Sequence, residues 1–193
     1  MDSLFHFVFP VIAALAAKVH VKHKIESILL AGFLTVLIDL DHFIGVERAS
    51  FHNIFVTILF PLAIIFLAFN FKSKYNFKGF SILLLVFLSS HTFIDMFGNP
   101  GIALFYPLSN NYYLLNFELS VPLKTNFSKS LEEGYIVSNL GLSILLYFIL
   151  IILPCLFLDD IIEIMEKKHE SFKRVIKEKF NLRLLSKPEK QSF

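Results

Sequence analysis

The sequence has little charge, a single cysteine and no tryptophan. Charged residues make up 18% of its 193 residues, fewer than the roughly 25% of soluble domains, and hydrophobic residues make up 55%. The one cysteine, Cys155, allows neither an internal disulfide nor a thiolate-rich zinc site. A net charge of +2, without a basic patch interleaved with aromatic residues, argues against a nucleic-acid partner. What remains is a chain of single-domain length with the composition of a membrane protein.

No basic stretch precedes the first apolar run, as one would in a secretory signal peptide. The basic cluster that begins at Lys18 follows that run instead. We therefore expect residues 4–17 to be retained as a helix with the N-terminus outside the cell. The segment is short, so it is either a tilted helix or half of a shallow hairpin.

Apolar segments bounded by charged or turn residues recur along the chain. Three of them have the length of about 20 residues that a helix needs to cross about 30 Å of hydrocarbon, and two are shorter. Together they predict an all-α, polytopic bundle of four to five transmembrane helices. The segments are roughly 4–17, 25–38, 52–71, 79–97 and 136–158.

These segments divide the chain into a membrane domain, 1–158, and a charged tail, 159–193. Within the membrane domain, residues 98–135 are polar and aromatic. Because aromatic rings favour the headgroup level, we expect this part to lie along the membrane surface. The tail has the mixed-charge pattern of a cytoplasmic helix that contacts the membrane surface or a cytosolic partner.

Lysine and arginine residues fix the predicted orientation. They cluster after the first, third and fifth apolar segments, and these three groups hold 15 of the 18 basic residues. Since two segments separate each group from the next, all three lie on one side, which is the cytoplasm by the positive-inside rule. We therefore expect a multi-pass protein of the cytoplasmic membrane with a cytoplasmic C-terminus.

Four of the seven histidines and three aspartates fall on the opposite, outer side. Counted at 1.5 Å of helical rise per residue from the nearest cytoplasmic lysine, they lie roughly 18–30 Å away, near the outer headgroups. His91 and Asp95 are four residues apart and Asp39 and His42 three apart, so each pair shares one face of a helix. The seven residues are His6, Asp39, Asp41, His42, His52, His91 and Asp95.

Each of these residues, taken singly, has a structural explanation: a hydrogen-bonded histidine at a helix end, a buried His–carboxylate pair, or a solvated aspartate. Ionisable groups in transmembrane segments nevertheless cost about 2.5–3.5 kcal/mol at mid-bilayer, and they persist where they pair, bind an ion or act. Their common depth therefore favours a metal or proton site. Imidazole and carboxylate without thiolate suit zinc, and also manganese or iron.

The same residues form an ordered series of motifs. His6 is followed by Asp39-Leu40-Asp41-His42, by Arg48 and His52-Asn53, and by His91-Thr92-Phe93-Ile94-Asp95 ahead of Gly101 and Tyr106-Pro107. Over about residues 1–110 this series resembles the YdjM-type family, described as inner-membrane-associated, metal-dependent hydrolases. The chain departs from the family pattern at Glu47 and Asn53, where the family has His and Ser.

The resemblance implies a hydrolase that uses a divalent metal, zinc by preference, at the outer face of the cytoplasmic membrane. A bidentate guanidinium clamp for phosphate and a carboxylate base fit that chemistry. The order of the motifs is also similar to that of zinc-dependent phospholipase C enzymes, which suggests a lipid or lipid-linked phosphoester as substrate. The implied ligands are His52, His91 and Asp95, completed by Asp41 or Asp39, with His42 and His6 as further ligands, and the implied catalytic residues are Asp39 and Arg48.

Two other functions fit the same pattern. A His/Asp layer serves as a proton or cation relay in transport proteins, but a relay predicts polar residues across the whole membrane, whereas the inner halves of the last three segments are almost wholly apolar. A non-catalytic membrane scaffold, whose tail recruits a cytosolic partner, predicts that His91 and Asp95 matter only for stability.

Overall fold

A computed structural model describes residues 3–17, 19, 23–70, 75–117, 119–123 and 132–185 of the chain. Within these ranges the chain is mainly helical and also contains one pair of antiparallel strands. The α-helices are α1 (Ser3–Ala16), α2 (Lys24–Val36), α3 (Phe60–Asn70), α4 (Tyr75–Asp95), α5 (Asn139–Leu156) and α6 (Leu158–Leu185). A 3-10 helix (Leu37–His42) extends α2, and a π-helical turn (Phe55–Leu59) leads into α3.

Helix α4 is the centre of the bundle. It contacts α2, α3, α5 and α6, while α1 packs against α2 and α5. The sequence of α4 is apolar around most of its circumference, as expected for a helix enclosed by others. Its side chains Leu83 and Phe87 are completely buried. The core of the protein therefore lies along α4, and residues at either end of this helix are held in fixed positions.

Two of the described helices are long and apolar enough to cross a membrane, Phe77–Asp95 within α4 and Asn139–Leu156, which is α5. The helices Leu4–Ala16 and Phe55–Asn70 are apolar but shorter. Helices thus occur at all five predicted segments, and spanning length is confirmed for the last two. The third is shorter than predicted, because His52 and its neighbours form an irregular turn ahead of the helix.

The predicted tail helix is confirmed as α6 over its described part. Several of the basic residues on which the predicted orientation depends lie outside the described residues. These are Lys18, Lys22, Lys72, Lys74, Lys187 and Lys190. Lys124 and Lys129, which belong to none of the three groups, also lie outside the described residues.

The strand pair departs from the predicted all-α fold. It lies mostly in the polar, aromatic part of the chain and ends at Val137, inside the predicted segment 136–158. Strand β1 (Leu119–Leu123) pairs antiparallel with β2 (Glu132–Val137), and Val121 lies opposite Gly134. This hairpin-like pair leads directly into α5 through Ser138, whose side chain accepts a hydrogen bond from the N–H of Gly141 and caps the helix.

A loop between α4 and the strands folds back over the end of α4. Its Ala103 N–H donates to the carbonyl of Arg48 at 3.0 Å, and its Leu104 carbonyl accepts from the N–H of Ile54 at 2.9 Å. Gly101 is required here, because its φ is 86° and a Cβ would collide with the carbonyl oxygen of Tyr113. The loop thereby fixes the turn that holds His52 against the end of the bundle.

Candidate metal centre

The 3-10 helix carries the first two acidic residues. It tightens the last turn of α2, as short 3-10 segments commonly do at helix ends. Asp39 and Asp41 point into the protein and are 6% and 1% exposed, whereas His42 is exposed. The predicted common face of Asp39 and His42 is therefore not seen, since one side chain is buried and the other lies at the surface.

The turn before α3 carries His52, and Asn53 holds it in place. The Asn53 side-chain oxygen accepts from the N–H groups of Phe55 and Val56, each at 3.1 Å. Its amide nitrogen donates to the carbonyls of Ala49 and Ser50, each at 2.9 Å. Asn53 thus caps the following helix and ties it to the preceding turn. The sequence does not single out this role, although asparagine before an apolar run is a helix-start signal.

The C-terminal turns of α4 carry the second pair, His91 and Asp95. Both side chains are buried, and His91 Nε2 lies 3.2 Å from Asp95 Oδ2. This is the one-turn spacing that the sequence predicts for the pair. His91 Nδ1 has no hydrogen-bond partner among the described residues, so the ring is held mainly through its Nε2 edge.

These four residues, which we call the His/Asp cluster, converge on one point. The ligand atoms of Asp39, His52, His91 and Asp95 all lie within 4.8 Å of one another. The two Nε2 atoms are 3.2 Å apart, and Asp39 Oδ1 is 3.5 Å from His52 Nε2 and 3.2 Å from His91 Nε2. Asp95 Oδ2 is 3.0 Å from His52 Nε2. Three separate parts of the chain therefore deliver two imidazoles and two carboxylates to one buried site.

The spacing of the cluster fits a metal ion. Five of the six distances among these atoms are 3.0–3.5 Å. A tetrahedron with edges of this length has its centre about 2.0 Å from each corner, which is the length of zinc bonds to imidazole nitrogen and carboxylate oxygen. Two buried imidazole nitrogens that face each other and two carboxylates also form a donor set of divalent metals. The residues present therefore fit the group that the sequence predicts, while the identity of the metal is not fixed by these donors.

Asp41 and His6 lie outside the His/Asp cluster and contact its members. Asp41 Oδ2 lies 2.8 Å from His52 Nδ1 and accepts from the N–H of Phe51 at 3.1 Å, so it turns the opposite edge of the His52 ring, Nε2, toward the cluster. His6 of α1 stacks on His91 with ring centroids 3.9 Å apart. Its Nε2 lies 3.3 Å from Asp95 Oδ1, the carboxylate oxygen that faces away from the cluster. Such outer partners orient metal ligands in proteins.

The Asp41–His52 contact determines where protons reside in the metal-free protein. Burial lowers the pKa of His52, but its hydrogen bonds to Asp39, Asp41 and Asp95 outweigh this and raise the pKa to about 10. Burial raises the pKa of Asp41, yet the hydrogen bonds from His52 and from the backbone hold it below its ordinary value. At neutral pH the pair is therefore an imidazolium beside a carboxylate, with Nδ1–H donating to Asp41.

The structure places the remaining predicted residues outside the His/Asp cluster. Among the described residues, the four convergent side chains do not include Asp41, His42 or His6, which the sequence predicts as ligands. His42 Nδ1 instead lies 3.1 Å from Glu47 Oε1 at the surface. The Arg48 guanidinium donates to the carbonyl of Gly98 at 3.2 Å, just beyond the end of α4. Asp39, predicted chiefly as a base, is one of the four.

Comparison with known proteins identifies a family. The sequence model of a family described as YdjM inner membrane protein matches residues 1–158, which extends from α1 to the end of α5 and covers more than the motifs quoted above. No curated protein and no solved structure matches the chain significantly.

Proposed function

Because the chain belongs to the YdjM inner membrane protein family, we propose that it is a metal-dependent hydrolase of the cytoplasmic membrane. In this proposal it acts at the outer face, on a phosphoester of a lipid or a lipid-linked molecule. The observation that carries the proposal is the His/Asp cluster, a buried set of two imidazoles and two carboxylates at metal-binding distances.

The free-energy cost of burying the side chains of the His/Asp cluster supports the proposal of a bound metal ion. Each carboxylate and imidazole of the His/Asp cluster is at least nine-tenths buried, and groups of this kind are expensive to bury without a partner of opposite charge. Two carboxylates offer the negative charge that a divalent cation neutralises. A bound divalent metal would act as a Lewis acid that lowers the pKa of a water molecule.

The protein's own groups supply the rest of the chemistry. In hydrolysis the oxygen of water forms a bond to phosphorus, the ester P–O bond breaks, and the departing alkoxide takes up a proton. Since Asp39 Oδ1 is the oxygen that faces the two imidazoles, we assign the acceptance of the water proton to Asp39 Oδ2. We assign the orientation of His52 to Asp41. A cavity of about 260 Å³ reaches Asp95 at the end of α4 and is also lined by Gly98 in the following turn and by Asn139 at the start of α5.

Arg48 is the proposed phosphate contact. Its guanidinium lies against Gly98, which lines the cavity beside Asp95. A guanidinium has five N–H donors, and the Gly98 carbonyl uses one at 3.2 Å. The remaining donors of this planar group suit the charged oxygens of a phosphoester. Asp95 and Gly98 line the cavity, and the Arg48 guanidinium lies directly against Gly98.

The proposed orientation follows from the ends of α4. Lys78, near its start, pairs with Glu166 of α6 at 2.6 Å, and His91 is 13 residues further on, about 20 Å along a helix. With Lys78 and α6 in the cytoplasm, the His/Asp cluster lies toward the outer leaflet. The multi-pass topology and the cytoplasmic C-terminus are part of the proposal and are testable by labelling single cysteines from each side of the membrane.

The proposal is tested with His91→Ala in the full chain, purified in detergent. We expect the unaltered protein to hold about one divalent metal ion per chain by mass spectrometry of metals and to hydrolyse bis(p-nitrophenyl) phosphate, and the variant to lose both. The matched control is His169→Ala in α6, which lies outside the cluster and should change neither. Unaltered protein that stays metal-free when zinc or manganese is added would overturn the proposal.

A structural metal site is the second candidate. It is favoured by the number of ligands, since four protein ligands are typical of closed structural zinc sites, whereas catalytic sites keep one position open. This candidate predicts one metal per chain, unfolding when a chelator removes it, and no hydrolysis. It also accommodates a scaffold whose α6 recruits a cytosolic partner. The cavity at Asp95 favours the hydrolase, because it gives water and substrate a way to one ligand.

The cation or proton relay remains the third candidate. A relay needs polar groups that continue from the His/Asp cluster toward the Lys78 end of α4. The side chains of α4 in that direction are mostly apolar and belong to the hydrophobic core, among them Leu83, Val86 and Phe87. This arrangement gives the relay less support than the hydrolase.

A further inference from the structure

An apolar groove of about 290 Å³ opens on the side of the bundle next to the His/Asp cluster. Its floor includes Ile38, Leu84 and Leu88, which are at most 5% exposed. Its rim includes Leu40 and Phe60, which are 42% and 57% exposed. Every side chain that lines it is apolar. The groove therefore suits a hydrocarbon group that enters from the side of the protein.

The groove and the His/Asp cluster lie on one continuous face of α4. Leu84, Leu88, His91 and Asp95 are spaced by four, three and four residues, the spacing of a single helical face. The face is apolar at Leu84 and Leu88 and becomes polar within one further turn. A molecule that lies along this face has its apolar part against the leucines and its polar end at the metal ligands.

The other two walls change in the same direction. Val56 and Phe60 lie in the groove, and His52 precedes Val56 by four residues. Along α2 and the 3-10 helix, Leu34 and Ile38 line the groove and Asp39 follows them, and Leu40 beyond Asp39 also lines it. All three walls therefore pass from apolar side chains to a ligand of the His/Asp cluster at the same end.

We propose that the groove binds one hydrocarbon chain of a membrane lipid whose polar head lies at the His/Asp cluster. The proposal rests on the hydrolase function and specifies its substrate as an amphiphile that enters sideways from the bilayer. A protein helix is about 10–12 Å wide with its side chains, so a single turn needs more room than this groove offers. An alkyl chain does not, and a protein of an inner membrane family is surrounded by such chains.

The groove is tested with a filling variant and a matched control. Val56→Trp places a large ring inside the groove, whereas Leu62→Trp places the same ring at a position that is 42% exposed and does not line it. The probe is phosphatidylglycerol with a photoreactive diazirine at the end of one chain, in vesicles of phosphatidylethanolamine and phosphatidylglycerol that contain the full-length protein. Labelled peptides are then mapped by mass spectrometry.

We expect labelling of the unaltered protein to concentrate on the peptides that contain Leu84, Leu88 and Val56. Each methylene group kept out of apolar contact weakens binding about fourfold, so excluding two or more should reduce this labelling at least about tenfold in Val56→Trp. Leu62→Trp should leave it unchanged. Labelling spread evenly around the bundle, or equal in the two variants, would overturn the groove as a lipid site.

Activity assays distinguish failure of the groove proposal from failure of the hydrolase proposal. In Val56→Trp, hydrolysis of vesicle lipid should fall through a higher KM, while metal content and hydrolysis of soluble bis(p-nitrophenyl) phosphate stay at the level of the unaltered protein. If no substrate is hydrolysed but groove labelling is lost in Val56→Trp, the lipid site stands and the hydrolase fails. If both variants hydrolyse vesicle lipid equally, the hydrolase stands and the groove proposal fails.

Discussion

The two ends of α4 carry ionisable groups in different surroundings. At the C-terminal end, His91 and Asp95 are buried and meet side chains from α1, the 3-10 helix and the turn before α3. At the N-terminal end, Lys78 pairs with Glu166 of α6, whose side chain is 41% exposed, and also lies 5.0 Å above the ring of Phe69. One end is a closed polar site, and the other is an ion pair at the edge of the protein.

The two ends differ in how much it costs to remove one partner of a polar contact. A partly exposed pair such as Lys78–Glu166 keeps contact with its polar surroundings, so either partner can be removed at small cost. A buried group whose partner is removed costs several kcal/mol, because the remaining charge stays desolvated. We therefore expect perturbations at the His/Asp cluster to change metal binding strongly and perturbations at the Lys78 end to leave it unchanged.

The largest expected effect is that of pH on metal binding at the His/Asp cluster. His52 has a pKa of about 10 in the metal-free protein, and a metal must displace the proton on its Nε2. Metal affinity should therefore rise about tenfold per pH unit between about pH 6 and about pH 8, or about 100-fold in all. Titration of the full-length protein with a zinc buffer at several pH values measures this.

The stability of the metal-free protein should change with pH in the opposite direction to metal affinity. A histidine whose pKa is raised from 6.5 to about 10 by folding contributes stability that is complete below its unfolded pKa and is lost as the pH rises through about 10. The metal-free protein should lose stability over the range in which the metal-bound protein gains it. Metal affinity that does not change with pH would show that His52 is not a ligand.

Asp41→Ala should have the next largest effect. Without the Asp41 carboxylate, His52 Nδ1 loses its 2.8 Å partner and the ring is free to turn. Loss of such an outer partner typically weakens metal binding 10- to 100-fold, and we expect a decrease of that order. Asp160→Ala in α6, at an exposed position, is the control. An affinity equal to that of the control would mean that Asp41 does not orient His52.

Lys78→Met should have the smallest effect. The pair with Glu166 is worth at most about 1 kcal/mol of unfolding free energy, and the long apolar stem is retained by methionine. Metal affinity should stay unchanged, since Lys78 is about 20 Å along α4 from His91. A double-mutant cycle with Glu166→Gln measures the pair itself. A decrease in metal affinity in Lys78→Met would show that the two ends of α4 are coupled.

Sequence spacing was enough to predict the part of the site that lies on one helix. His91 and Asp95 are four residues apart, and this alone places them one turn apart on α4, as the structure confirms. Spacing alone did not predict which acidic residue of the 3-10 helix joins this pair. Asp39 and Asp41 are two residues apart on a 3-10 helix, and the sequence leaves open which of them joins the His/Asp cluster and which holds the far edge of the His52 ring.

Long-range packing determines the roles of Asp39 and Asp41. Arg48 illustrates the same limit, because its guanidinium lies on the carbonyl of Gly98, a residue 50 positions away. His6 belongs to a short first helix, yet the packing of α1 on α2 and α5 brings its ring onto His91. No local pattern contains these contacts, since they depend on how the helices and the loop after α4 pack together.

The sequence by itself determined the apolar helices and the pairing of His91 with Asp95, because helical periodicity and burial act over a few residues. Only the tertiary structure decided that Asp39 completes the His/Asp cluster, that Asp41 and His6 support it from outside, and that an apolar groove adjoins it. The reason is physical: a site built from residues on three separate parts of the chain exists only once those parts are packed together.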